Sequence, residues 1–279
     1  MAVSSWIART AKSVLPHGVV MATIRTLKRR RLKAFNPAVW STNQIPYSYD
    51  AAINFLSARG VPRNSAIGGS IPDTSLDFCS EVLDRLLPKG TPLMGLHVGN
   101  FVGISLCYFT NYVRNKNDKS VIMSIDPNLT CMGIHDPQGH VISLLNYFGL
   151  QRNALIFVGY STKKSISNDG STFIDEKGLE YDPFSSYQNE QSCEHVLENL
   201  CVLSESRFDF AIMDGNHERS YLQGETLIVK RLLKPGGILI LDDVSDVWTE
   251  IKAEFDELRA KDWSAVAANG RVGVLQRAS

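Results

Sequence analysis

From about residue 90 onward, short apolar runs alternate with longer amphipathic segments. Most of these runs are bounded by Gly, Pro or an acidic residue, which is typical of strands buried in a parallel sheet. The pattern predicts strands at residues 92–98, 120–126, 154–160, 208–214 and 237–242. It predicts helices at residues 103–115, 141–148, 191–204, 219–233 and 247–260.

The alternation of strands and helices predicts right-handed crossovers and a mostly parallel sheet. Two further strand-like pieces, 264–267 and 271–276, are joined through Asn269-Gly270, and Asn-Gly between such runs favours a hairpin. The expected fold class is therefore α/β, with a doubly wound, mostly parallel Rossmann-like sheet and a C-terminal antiparallel hairpin. We expect this domain to cover residues 89–279.

The first 88 residues follow a different pattern. A basic, predicted helical start precedes a span rich in Pro and Gly. Residues 75–87 predict an amphipathic helix, because their apolar side chains recur at spacings of three and four. We interpret residues 1–88 as a helical and loop-rich N-terminal extension. The basic run at 28–33 favours a solvated helix face, with contact to an anionic surface as the alternative.

Composition and charge restrict the class of function. A formal net charge of zero argues against a protein that works mainly by coating nucleic acid. No window approaches the roughly 18 apolar residues of a membrane helix. The five cysteines lack CxxC spacing, which favours free thiols in a reducing compartment. We expect a cytoplasmic protein with no nucleic-acid partner and no membrane span, and a homo-oligomer remains open.

A glycine turn, Gly99 to Gly103, follows the first predicted strand and begins a helix. Its backbone could approach a ligand that a Cβ atom would push away. The turn lacks G-x-G-x-x-G and any P-loop signature. Asp126 ends the next predicted strand, where an acidic residue can accept hydrogen bonds from a ribose diol. Together they indicate a nucleoside ligand. The alternative is that Gly99 only permits a tight turn and that Asp126 only begins one.

Acidic residues follow two further predicted strands. Asp214 ends the strand at 208–214, and Asp242 and Asp243 follow the strand at 237–242. Adjacent strands lie about 4.8 Å apart, so these carboxylates should converge and share a cation or a proton, or lie in water. Oxygen ligands suit Mg²⁺. A regular strand would point Asp242 and Asp243 to opposite faces, and we favour Asp243 as the inward residue. Ordinary turn-forming Asp is the alternative.

His217 follows Asp214 by three residues in a turn that contains Gly, so both side chains could face one cavity. An imidazole can take a proton from a hydroxyl that a metal ion has acidified. We therefore interpret His217 as a candidate catalytic base, although an isolated histidine usually has no catalytic role.

These residues lie in segments that resemble a known family. From about residue 90 to 276 the chain resembles the class I S-adenosylmethionine-dependent methyltransferases, most closely the branch that contains macrocin O-methyltransferase and the cephalosporin-hydroxylase-like enzymes. The matching segments are Val98-Gly-Asn-Phe-Val-Gly-Ile-Ser105, Ser124-Ile-Asp126, Met213-Asp-Gly-Asn-His217 with Tyr221, Leu233-Lys-Pro-Gly-Gly237 and Leu241-Asp-Asp243.

The resemblance implies roles for individual residues. It implies that Asp214, with Asp242 or Asp243, holds a divalent metal ion and that His217 is the base. The residues that it implies for S-adenosylmethionine binding are His97, Gly99, Asn100, Gly103, Ser105, Asp126, Ser161 and Asp214. One position departs from the family pattern, because His97 replaces the Glu or Asp that often anchors the amino group of the cofactor.

The expected function is a metal-assisted O-methyltransferase, with Mg²⁺ as the expected ion. The expected acceptor is a hydroxyl of a small molecule such as a sugar, a phenol or a natural product. The long polar stretch at 161–189 is expected to close over the site as a lid, and a mobile surface insertion that contacts nothing is the alternative. A non-catalytic S-adenosylmethionine-binding or assembly protein with a decayed site is the alternative, and His97 is its sign. The missing G-x-G-x-x-G disfavours a nucleotide-dependent oxidoreductase.

Overall fold

The structure is a computed structural model that describes residues 45–162, 173–174, 180–181, 196–203, 206–261 and 263–278. The basic run at 28–33 lies outside the described residues. So does most of the stretch at 161–189 that we expect to be a lid.

A seven-stranded sheet is the centre of the described fold, in the order β3-β2-β1-β6-β7-β9-β8. The strands are β1 (Met94–Val98), β2 (Val121–Asp126), β3 (Ala154–Val158), β4 (Phe173–Ile174), β5 (Glu180–Tyr181), β6 (Phe208–Met213), β7 (Leu233–Leu241), β8 (Trp263–Ala268) and β9 (Gly273–Arg277). Strands β1, β2, β3, β6 and β7 are parallel, whereas β9 is antiparallel to β7 and to β8. Strands β4 and β5 form a separate antiparallel pair. The predicted mostly parallel sheet with a C-terminal hairpin is confirmed.

Helices cover both faces of the sheet. They are α1 (Tyr49–Ala58), α2 (Arg63–Gly68), α3 (Asp73–Leu86), α4 (Ile104–Lys116), α5 (Pro137–Tyr147), α6 (Val196–Leu203), α7 (Arg219–Leu232) and α8 (Thr249–Ala260). Successive residues of a strand point to opposite faces. Phe210 and Ile212 of β6 accordingly join the core formed with α1 to α5, whereas Ala211 and Met213 join the core formed with α6 to α8.

The first three helices share a core with the sheet. Leu56 of α1 and Leu76 and Leu83 of α3 are fully buried in the same cluster as Phe109 of α4. The amphipathic helix predicted at 75–87 is confirmed as α3. The division of the chain at residue 88 stays a prediction. Within the described ranges, every helix is too short or too polar to cross a membrane.

Candidate active site

The residues expected to act chemically lie along one edge of the sheet, beyond the carboxyl ends of four strands. Val98 of β1 pairs with Ile125 of β2 and with Met213 of β6, and Met213 pairs with Leu241 of β7. The residues that follow these positions therefore meet at this edge, which is where ligands of open α/β sheets bind.

The glycine turn is held by close packing within the chain itself. Gly99 has φ 84°, and a Cβ atom there would lie 1.8 Å from the carbonyl oxygen of Asp214. Gly103 has φ 91°, and its Cβ would lie 3.1 Å from Cα of Val141 in α5. The sequence left two explanations for these glycines, the approach of a ligand and a tight turn, and the structure adds the close approach of Asp214 after β6 and of Val141 in α5. Their binding of a cofactor stays a prediction.

Asp126 fixes the same turn. Its Oδ2 accepts hydrogen bonds from the backbone N–H groups of Asn100 at 2.7 Å and Phe101 at 3.3 Å. Its Oδ1 accepts one from the backbone N–H of Asn128 at 2.7 Å. Burial raises the pKa of Asp126, and these three donors counteract the effect. The carboxylate lies at the predicted strand end, and its binding of a ribose stays a prediction.

Two buried polar side chains lie in and below this turn. His97 on β1 is fully buried, and its ring lies 6.3 Å from that of Phe109. Burial lowers the pKa of His97 to about 4, so its imidazole is neutral near pH 7. Asn100 accepts a hydrogen bond from Ser124 Oγ at 2.6 Å. Within the described residues, Asn100 Nδ2 and both ring nitrogens of His97 lack a hydrogen bond of normal geometry, although the Gly99 backbone and the Asn100 side chain lie beside the imidazole and partly counteract the effect of burial on its pKa. Because an unsatisfied buried polar group costs about 1–3 kcal/mol, these atoms suit a bound polar ligand.

Ser105 and Ser161, the other residues expected to bind the cofactor, are buried. Ser105 lies in the first turn of α4, directly after the glycine turn. The Ser161 hydroxyl, by contrast, contacts two side chains of α7. It donates a short hydrogen bond to Glu225 Oε1 and lies 2.9 Å from the Tyr221 hydroxyl. A contact between Ser161 and the cofactor is untested, and the structure brings this hydroxyl together with Glu225.

Glu225 provides a prediction about pH. Burial raises its pKa from 4.5 to about 8, so the folded protein keeps a proton that the unfolded chain releases above pH 4.5. The folded state therefore loses stability as the pH rises through this window, by at most about 1.4 kcal/mol per pH unit. We expect Glu225→Gln, which keeps a hydrogen-bonding oxygen, to match the wild type near pH 5 and to be more stable than it at pH 8. Urea unfolding at several pH values measures the difference, and parallel curves would contradict the prediction.

Three carboxylates meet beyond β6 and β7. Asp214, Asp242 and Asp243 offer oxygen atoms that all lie within 4.8 Å of one another. We call these three residues the acidic cluster. Strand β7 ends at Leu241, and Asp243 has φ 59°, a conformation that Asp tolerates better than most residues. The alternation of a regular strand therefore does not extend to residues 242 and 243. We expected only one of the pair to face inward, and the structure brings both to Asp214.

The three carboxylates of the acidic cluster lie close together and are shielded from water, so their negative charges are poorly solvated. Burial raises the pKa of Asp214 well above its usual value, and the charges of Asp242 and Asp243 raise it further. Burial also raises the pKa of Asp242, and the hydrogen bonds from Arg271 counteract this. Converging buried carboxylates need a positive charge nearby. Part of that charge comes from the protein.

Arg271 supplies positive charge to the acidic cluster. This residue was not predicted from the sequence. Its Nε and Nη2 donate to the two oxygens of Asp242 at 2.9 and 2.6 Å, a bidentate pair. Its Nη1 lies 2.7 Å from Asp243 Oδ1 as an ion pair whose angle is not that of a hydrogen bond. The signal was present in the predicted hairpin. Since β9 runs antiparallel to β7 with Gly273 opposite Leu241, Arg271 must lie beside the residues that follow β7.

His217 contacts the acidic cluster from its exposed side. Its Nε2 lies 2.6 Å from Asp243 Oδ2, and its ring stacks on Trp248 with centroids 4.1 Å apart. A carboxylate only accepts hydrogen bonds, so Nε2 donates in this contact, and in the neutral imidazole Nδ1 then has the lone pair. The side chain is 37% exposed. The histidine is therefore oriented by Asp243 and accessible to a substrate.

The donor set fits a hard divalent cation. The three carboxylates, when ionised, exceed the charge of Arg271 by two, which equals the charge of Mg²⁺, and carboxylate oxygens are its preferred ligands. A cleft opens onto these residues. Its lining consists of Met213, Asp214, Gly215, Asn216, His217, Leu222, Leu241, Asp242, Asp243 and Ile251.

Comparison with known proteins gives a family match and a set of similar folds. A family described as "Methyltransferase domain" matches residues 96–244, which run from β1 to just beyond the acidic cluster. No curated protein matches the chain.

Solved structures are similar in fold at low identity. An SAH-bound methyltransferase of Podospora anserina, PaMTH1, is 13% identical with a TM-score of 0.53, covering 95% of this chain and 99% of that one. A methyltransferase from Geobacter sulfurreducens is 13% identical with a TM-score of 0.51, and the match covers 91% of this chain and 97% of that one. Cofactor-bound Rv0187 from MTB is 12% identical with a TM-score of 0.51, and the match covers 82% of this chain and 88% of that one. These likenesses show the fold.

Proposed function

Because this chain belongs to the methyltransferase-domain family and is an S-adenosylmethionine-dependent methyltransferase, we propose that it methylates a hydroxyl of a small molecule with the help of a divalent cation. One observation carries the proposal. The acidic cluster and a histidine oriented by Asp243 lie at the same sheet edge as the glycine turn. Metal ligands and a base are thus adjacent to the turn implied in binding the methyl donor.

The methyl donor would be held by the glycine turn and by Asp126. Bound S-adenosylmethionine supplies a methyl group on a positively charged sulfur. Asn100 Nδ2, which no described residue satisfies, is available as a donor to it. His97 is neutral and cannot offer the negative charge that the amino group of the cofactor meets in many relatives. We therefore assign the recognition of that amino group to another residue.

The acidic cluster would hold the cation, for which Mg²⁺ is the best match. A bound hard cation lowers the pKa of a hydroxyl that it contacts. His217 would remove the proton of the acceptor hydroxyl through Nδ1, while Asp243 holds Nε2 and Trp248 fixes the plane of the ring. Methyl transfer requires proximity and alignment more than acid strength, so much of the rate should come from positioning by this rigid edge.

Ligand binding followed by a transfer assay tests the proposal. Calorimetry should detect binding of S-adenosylhomocysteine and no binding of NAD, because the turn lacks a pyrophosphate motif. Labelled S-adenosylmethionine should then transfer its methyl group to one member of a pool of hydroxylated small molecules. Binding of NAD alone would overturn the proposal. Transfer to a nitrogen or carbon acceptor would leave the methyltransferase in place and remove the O-methyl assignment.

Removal of divalent ions provides a separate prediction. If the cation acidifies the acceptor hydroxyl, a chelator should lower turnover by at least roughly tenfold, and added Mg²⁺ should restore it. The binding of S-adenosylhomocysteine, measured in the same buffer, should not change. Full turnover in chelator would exclude the metal from the reaction.

A further inference from the structure

Arg271 combines three features that make it more than a structural partner of the acidic cluster. Its guanidinium engages both oxygens of Asp242. It reaches Asp243 as well, so one side chain contacts two of the three carboxylates. It also lies on the hairpin between β8 and β9, far in sequence from both β6 and β7.

The hairpin holds Arg271 firmly in this position. Asn269 Oδ1 accepts hydrogen bonds from the backbone N–H groups of Arg271 at 3.0 Å and Val272 at 2.8 Å. Asn269 Nδ2 reaches Ser75 Oγ in α3 at 3.2 Å. The carbonyl oxygen of Arg271 accepts from the backbone N–H of Val244 at 2.7 Å. The guanidinium is thus pre-organised, and little entropy is lost when it pairs with the carboxylates.

We propose that Arg271 is an internal competitor of the divalent cation and thereby sets the metal affinity of this site. The inference rests on the proposed metal site. Because Arg271 occupies both oxygens of Asp242, and Arg271 and His217 each engage one oxygen of Asp243, Asp214 would be the main protein ligand of the metal ion in the wild-type protein. Asp242 becomes a full metal ligand only when the guanidinium is removed. A fixed positive charge at the site also repels an incoming cation.

Binding of Mn²⁺ alone, measured by calorimetry or by the spin resonance of the free ion, tests this without any turnover. Arg271→Met should tighten Mn²⁺ binding by about tenfold or more, because both the repulsion and the competition disappear. Arg259→Met is the matched control. It removes the same charge from an exposed surface pair with Asp256, and it should leave the affinity unchanged. Weaker binding in Arg271→Met, with the fold intact by circular dichroism, would overturn the proposal.

A second set of variants covers the case in which Arg271→Met does not fold. In the wild-type background, Asp242→Asn should weaken Mn²⁺ binding by less than about threefold, whereas Asp214→Asn should weaken it by about a hundredfold. Where Arg271→Met does fold, adding Asp242→Asn to it should cause a large loss of Mn²⁺ affinity. Equal losses for Asp242→Asn and Asp214→Asn in the wild type would show that Asp242 is already a ligand, and the inference would be wrong.

Failure of the inference is distinguishable from failure of the proposed function. If the wild type binds no Mn²⁺ but Arg271→Met does, Arg271 keeps the metal ion out of the wild-type site. That result supports the inference and excludes metal assistance of the reaction. If neither protein binds Mn²⁺, both the inference and the proposed metal site are wrong. S-adenosylhomocysteine binding and methyl transfer still report on the methyltransferase in either case.

Discussion

Replacement of His217 by Ala is expected to lower the rate of methyl transfer by about 10²- to 10⁴-fold, the usual contribution of a positioned general base. The reason is the geometry of the ring. Its Nε2 is 2.6 Å from Asp243, so in the neutral imidazole the opposite nitrogen has the lone pair, and the stacked Trp248 holds the ring in place. Because the histidine lies beside the acidic cluster and outside the glycine turn, the affinity for S-adenosylhomocysteine should be nearly unchanged.

Two comparisons make this prediction specific. His140 lies in α5 and is not among the residues that line the cleft, so His140→Ala should keep the wild-type rate. The affinity of both variants for S-adenosylhomocysteine should equal that of the wild type. Single-turnover measurements with labelled S-adenosylmethionine give the rates, and calorimetry gives the affinities. An unchanged rate in His217→Ala would exclude the histidine as the base and transfer that role to another group in the cleft.

Apolar runs were sufficient to predict the five parallel strands of the described sheet, because a strand buried on both faces, such as β6, must be apolar on both. The edge strand β3 is apolar as well, although several of its side chains are exposed. The predicted strand ends were less accurate. Strand β7 begins at Leu233 and not at residue 237, since Leu233 pairs with Phe208 across an irregular register. That pairing depends on the neighbouring strand and leaves no periodic signal in the segment itself.

The sequence predicted α3, whereas α1 and α2 fell in a span that was interpreted as loop, for an identifiable reason. Gly60, Pro62 and Pro72 are loop formers on average, but here they mark helix ends. Gly60 follows the end of α1, and the two prolines are the N-caps of α2 and α3. Pro near the start of a helix and Gly just beyond its end are well-known boundary signals, so the same residues also predict short helices.

The candidate site was predicted where its residues lie within a few positions of a strand end, and it was missed where, as for Arg271, the position depends on the register of a hairpin. Asp126, Asp214, Asp242 and Asp243 lie at the predicted sheet edge because strand order and chain direction determine it. Arg271 reaches the acidic cluster through a hairpin whose register had to be known to one residue. A slip of one position in that register would turn its side chain to the other face of the sheet.

Glu225 was missed although a signal was available. On α7 the buried positions Tyr221, Leu222, Thr226 and Val229 recur at helical spacing, and Glu225 falls on the same face. An acidic residue on an apolar face must find a partner inside the protein. Its partner, Ser161, lies beyond β3, and only the packed structure brings the two together.

Gly99→Ala is expected to destabilise the fold by at least about 3 kcal/mol, which combines the penalty of about 1–2 kcal/mol for a left-handed alanine with a steric overlap. The new Cβ would lie 1.8 Å from the carbonyl oxygen of Asp214, so the ends of β1 and β6 would have to separate. That separation would displace Asp214 from the acidic cluster and the turn from Asp126. The variant should therefore lose affinity for S-adenosylhomocysteine even where it remains folded.

Gly60→Ala separates the two contributions to this effect. Gly60 has φ 89°, close to the 84° of Gly99, but no heavy atom lies within 4 Å of a Cβ built there. Gly60→Ala therefore introduces the conformational penalty without the steric overlap. It should lower the free energy of unfolding by only about 1–2 kcal/mol and leave ligand binding intact. Urea unfolding of both variants, with calorimetry of S-adenosylhomocysteine binding, measures the difference. Equal losses of stability would mean that β1 and β6 do not approach as closely as described, and the link between the glycine turn and the acidic cluster would fail with it.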